Sequence, residues 1–232
     1  VANLYNELKA VSSKERAEAG AWFFKTGPGQ YGEGDKFIGV TVPNQRKIAK
    51  RIEKDFSIHD IAESLDSPWH EERLTALLIL VIKYKKSSLE QKDEIALFYL
   101  DNAEKVNNWD LVDSSAPYIL GDWLLDKDKK VLYSLCRSDN LWEKRISIIT
   151  TLNFIRNGHY NDTLKISEQL LNDNHDLIHK ASGWCLREVG KKDEKALTDF
   201  LDKYTSAMPR TMLRYAIERL PDEKRKHYLN LK

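Results

Sequence analysis

Apolar residues along this chain recur at helical rather than alternating spacing. LTALLILVIKY (74–84), KRISIITTLNFI (144–155) and SGWCLREV (182–189) each predict a helix, and no segment shows the two-residue alternation of a strand. Breakers and caps punctuate the pattern: Ser67-Pro68, Asn107-Asn108, Ser138-Asp139-Asn140, Asp173-Asn174 and Met208-Pro209 each precede a helical stretch. Helix starts taken at 68, 107, 140, 174 and 209 lie 39, 33, 34 and 35 residues apart, with second helices predicted at 88–101, 128–136, 160–172 and 193–203. Two helices per roughly 35 residues is the signature of stacked helical repeats. The pattern predicts an all-α fold, a HEAT-like repeat α-solenoid of antiparallel helix pairs. No composition break divides the chain, so 1–232 reads as a single domain.

Composition narrows the classes. With 41% hydrophobic and 31% charged residues, the chain reads as folded and helix-rich rather than disordered. The longest apolar run, Leu77 to Ile82, cannot cross a bilayer. The start, VANLYNELKAVSS, lacks a secretory apolar stretch, so export is not expected. Cys136 and Cys185 form no CxxC pair, which fits a reducing compartment. A cytoplasmic monomer with no membrane partner is expected. Net charge is only +1, but from Lys180 onward thirteen Lys/Arg stand against eight Asp/Glu. That asymmetry predicts a C-terminal half that faces anions.

Several motifs fail on context. Gly27, Gly29 and Gly32 in TGPGQYGEGD (26–35) have GxGxxG spacing, but no strand precedes them and no helix opens after them. A flexible surface loop is the better reading. The segment His70-Glu71-Glu72-Arg73 lacks the second histidine of a zinc-protease helix. His175 and His179 share a helical face, yet no further ligand completes a metal site. No G-x-S-x-G occurs. Neither a metal nor an organic cofactor is expected.

Helical wheels single out a few residues. Around 107–123 the apolar stripe is Val112, Ala116, Ile119 and Trp123, with Trp109 and Asp113 one turn apart at its shoulder and Asp110 directed further outward. Pro117 removes the amide that would bond the Asp113 carbonyl, so a kink is expected there. Trp109 is then either core, with Asp113 paired to an arginine, or part of a site. Arg145 falls inside the stripe of Trp142, Ile146, Ile149 and Leu152, and Arg156 close to the same line. A guanidinium there needs an anion, either Asp113 or an external phosphate. Trp184 lies off the stripe of Ile178, Ala181, Cys185 and Val189, flanked by Lys180 and Arg187. It is either a half-buried tryptophan or an aromatic face on a phosphate-gripping surface.

Taken together, NWDLVD, ILGD, NLWEKR, HKASGWCLRE, RNGHY, MPRTMLRYAIE and VPNQRKIAK closely resemble the AlkD-type DNA glycosylases of alkylation repair. The resemblance covers nearly the whole chain. It implies a HEAT-like solenoid whose concave face binds duplex DNA and releases positively charged alkylpurines, N3-methyladenine and N7-methylguanine, without a cofactor. By motif, Trp109, Asp113 and Trp184 would be catalytic, and Arg145 and Arg187 would contact the DNA backbone. Lys180 and Arg156 are further candidate DNA contacts. Trp22 or Phe23 stands where the family has a tyrosine near the lesion. Two rivals remain: a non-catalytic DNA-structure binder on the same scaffold, and a protein-binding repeat adaptor.

Overall fold

The computed structural model describes residues 3–231. These fall into two compact units, Val1–Ser115 and Ala116–Lys232. The first holds α1 (Leu4–Lys9), α2 (Lys14–Phe23), α3 (Val42–Ile52), α4 (Ile58–Leu65), α5 (His70–Lys86), α6 (Leu89–Asp101) and α7 (Trp109–Ser115). The second holds α8 (Leu120–Trp123), α9 (Lys130–Cys136), α10 (Leu141–Arg156), α11 (Asn161–Gln169), α12 (Asp176–Lys192), α13 (Glu194–Tyr204), α14 (Arg210–Ala216) and α15 (Asp222–Asn230). The class is all-α. Among the described residues the only extended pairing outside helices is a single bridge between Lys36 and Trp69.

Local chemistry explains the boundaries. Ser57 and Ser88 each form a reciprocal capping box, with Asp60 and Gln91. The Asn140 side chain accepts from the amides of Trp142 and Glu143, and Asp193 accepts from Ala196. Asn108 Oδ1 accepts the Trp109 amide at 2.8 Å, where α7 opens. The five predicted starts thus fall within two residues of the observed helices at 70, 109, 141, 176 and 210. At Pro117 the expected kink is a full break: α7 ends at Ser115 and residues 116–119 are turn.

In each unit, alternate helices stack on one another, α3 on α5 on α7, and α10 on α12 on α14. Next-but-one stacking is the arrangement of an α-solenoid. α5 is apolar around nearly its whole circumference and is buried accordingly, with Leu74, Ala76, Leu77, Ile79 and Leu80 all within 1% of full burial. In the second unit, Gly183 brings α12 against α14. A Cβ there would lie 2.5 Å from both the Met212 carbonyl oxygen and Tyr215 Cβ.

Candidate functional site

α7 carries Trp109 and Asp113, both half-buried. The Trp109 ring stacks on Phe24 (centroids 5.2 Å apart, planes 16° apart) and meets Phe23 edge-on at 6.0 Å. Phe24 in turn stacks on Phe37 at 5.2 Å. The indole therefore rests at one end of a ring column supplied by the end of α2 and the loop after it. Asp113, one turn along α7, acts on the fully buried Tyr99 of α6. Burial pushes that phenol above its ordinary value of 10.0; the hydrogen bond to Ser115 Oγ (2.9 Å) opposes the shift, and the Asp113 charge adds to it.

Behind the column lies a buried polar network. His70 Nε2 is 2.8 Å from Asp110 Oδ2, and its Nδ1 is 3.1 Å from Asp35 Oδ2. Asp35 also accepts from Arg73 Nη2 (2.5 Å) and Asn108 Nδ2 (3.3 Å). Burial favours the neutral acid at Asp35, but the His70 hydrogen bond and the Arg73 charge prevail and hold it below the usual carboxylate value. Burial alone would lower the His70 imidazole. The charge and hydrogen bond of Asp110, then those of Asp35, overcome this and lift it from 6.5 to about 9. The bridge at Lys36 delivers Asp35: the Lys36 amide donates to Pro68 O, and the His70 amide donates to Lys36 O. Next to it, the Glu71 carboxylate accepts the amides of Ile38 (2.9 Å), Gly39 (2.8 Å) and Val40 (3.1 Å). A cleft of about 170 Å³ opens beside the network, lined by Arg16, Phe24, Phe37, His70 and Asp110 among others.

In the second unit, Trp184 is half-buried on α12 while Ile178, Ala181, Cys185 and Val189 are fully buried, as the wheel predicts. Its flanking cations are balanced by acids. Lys180 pairs with Asp176 at 2.7 Å, and Arg187 pairs with Glu188 and Glu218. Arg145 is buried, at 5% exposure, and donates to the Leu177 carbonyl at 2.8 Å.

A family model described as DNA alkylation repair enzyme matches residues 4–220. The chain belongs to the DNA alkylation repair enzyme family. A solved structure described as a predicted DNA alkylation repair enzyme from Enterococcus faecalis shares the fold: its TM-score is 0.69 at 16% identity, covering 91% of this chain and 97% of its own. A second, smu.31 from Streptococcus mutans UA159, is 18% identical with a TM-score of 0.46, covering 81% of this chain and 96% of its own. No curated protein matches the chain significantly. No helix among the described residues is long and apolar enough to cross a membrane.

Two sequence expectations are corrected. Asp110, expected to face outward, is buried at 8% exposure and deeper than Asp113, because α5 presents His70 to the start of α7. Arg156, expected near the buried line of α10, is exposed. It is the helix's last residue, beyond the packed stretch that ends at Ile155, and its guanidinium lies 5.6 Å from the Tyr118 ring centre. The loop at 26–35 is surface turn at Gly29 and Gly34, yet its last residue, Asp35, turns into the network. Of the two candidate N-terminal aromatics, Phe23 touches Trp109, while Trp22 is 76% exposed with Lys25 over its ring. Sequence reasoning missed His70 and Asp35. The available signal was a charged first turn on a helix too apolar to have a solvent face.

Proposed function

We propose that this member of the DNA alkylation repair family is a DNA N-glycosylase that hydrolyses the N-glycosidic bond of cationic alkylpurines, N3-methyladenine and N7-methylguanine, in duplex DNA. The observation that carries the reading is the pairing on α7 of a half-buried carboxylate, Asp113, with a half-buried indole braced by Phe24 and Phe23. An alkylated purine of this kind is already positively charged and leaves without a general acid. The enzyme's task is to stabilise the sugar as it becomes oxocarbenium-like and to supply water. Asp113 does the first by charge and the second by hydrogen bonding, as carboxylates do in glycoside hydrolysis. Trp109 offers its ring to the cationic nucleotide, a contact worth about 1–2 kcal/mol when desolvated. Trp184 offers a second aromatic face to the DNA, Lys180, Arg187 and Arg156 serve the phosphate backbone, and the buried Arg145 adds its charge beneath that surface. The chain acts as a monomeric HEAT-like repeat domain in the cytoplasm, with neither metal nor organic cofactor.

The test is incubation with duplex DNA containing N7-methylguanine, comparing the parent with Asp113→Asn. Free base from the parent, reduced about 100-fold or more in the variant, supports the enzyme. Equal, salt-sensitive binding by both proteins with no free base from either indicates the non-catalytic binder. No affinity for DNA at low salt leaves a protein-binding adaptor.

A further inference from the structure

His70 is buried at 1% exposure, and each of its ring nitrogens faces a carboxylate oxygen. A neutral imidazole has one N–H and can donate to only one of them, so the geometry calls for the doubly protonated ring. The ring also sits 4.6 Å from Phe24 and 4.7 Å from Phe37. Three routes lead from it to Trp109. Nε2 holds Asp110, the residue after Trp109 in the first turn of α7. Nδ1 holds the Asp35 oxygen that also receives Asn108 Nδ2, and Asn108 Oδ1 accepts the Trp109 amide. The ring itself packs on Phe24, on which the indole stacks.

We infer that His70 is a positioning residue: as an imidazolium between Asp35 and Asp110 it sets the seat of the Trp109 indole, and losing its proton loosens that seat. The effect on base release rests on the glycosylase reading; the effect on the indole does not. The charged groups around the ring are Asp35 from the loop before α3, Asp110 from α7, Arg73 and Glu71 from its own helix, and Arg16 from α2 at the shared cleft; α3 contributes the neutral Gln45 there. Arg73 is committed to Asp35, and Glu71 to the amides at 38–40. The two aspartates are therefore the groups that retain the proton. One proton leaving His70 unmakes one of its two donated bonds and exposes the aspartates to each other's charge.

The experiment follows ¹⁵N-labelled histidine and tryptophan side chains by NMR from neutral to alkaline pH, with the Trp109 indole assigned through Trp109→Phe. Both His70 nitrogens should carry protons at neutral pH and titrate near the expected value of about 9, and the Trp109 indole signal should move with the same midpoint. In His70→Gln that signal should be displaced at neutral pH and should no longer respond. Single-turnover release of N7-methylguanine by the variant should fall about tenfold while DNA affinity stays within about twofold. A neutral His70 at neutral pH, a Trp109 signal that is stationary through the titration, or a folded His70→Gln releasing base at the parental rate would overturn the inference. If the parent releases no base, the glycosylase reading falls and the indole signal decides His70 alone. If the variant fails to fold, the parental titration decides.

Discussion

The two units house their tryptophans by different means. Around Trp109, full charges have been taken out of water and matched: His70, Arg73, Asp35 and Asp110 are all side chains with at most 11% exposure. Beside Trp184 the Lys180–Asp176 pair stays near water, at 40% and 57% side-chain exposure, and α12 packs closely against α14 at Gly183. The first arrangement is locked by charge and the second by shape. Buried charges are costly to orphan, whereas pairs in contact with solvent contribute little.

The most severe way to break the charge-locked side is Glu71→Ala, which strips the acceptor from three amides at 38–40. Each orphaned buried donor costs about 1–3 kcal/mol, so a loss of about 3–5 kcal/mol is expected by chemical denaturation. A loss under about 1 kcal/mol would mean the loop finds other acceptors. On the shape-locked side the matching change is Gly183→Val. Its Cβ meets backbone at 2.5 Å, and prising α12 from α14 should cost about 2–3 kcal/mol, read as a lowered Tm.

The pH dependence sharpens the contrast. The folded-state value of His70 lies above its ordinary 6.5, so the stability it contributes is complete below that value and is lost as pH rises through about 9. Denaturation midpoints should therefore fall between pH 7 and pH 10, and Asp110→Asn should flatten that decline. An unchanged slope in the variant would detach His70 from the effect. The smallest change expected is Arg187→Ala. With its partners Glu188 and Glu218 partly in solvent, stability should move by no more than about 0.5–1 kcal/mol. In a salt titration of DNA binding, the same variant should lower the slope by about one phosphate contact if the proposed role holds.

Helix order and starts were legible because periodicity and caps are local. Asn140 and Ser88 announce their helices from within a few residues. The off-stripe place of Trp184 and the burial of Arg145 followed from wheels alone. The charged network was not legible, because Asp35 meets His70 across 35 positions and Asn108 across 73, from a loop that has no period to read. A wheel also assumes an isolated cylinder. It turned Asp110 outward because it could not include the neighbouring helix that supplies the partner.

Glu71 also bears on how this loop can drift among relatives. One carboxylate grips three successive main-chain amides, so the turn before α3 is recognised through atoms that every amino acid except proline possesses. Substitutions at Ile38 or Val40 can then be absorbed as questions of fit, whereas a new proline at either place, or the loss of the acid, would release the whole strap at once.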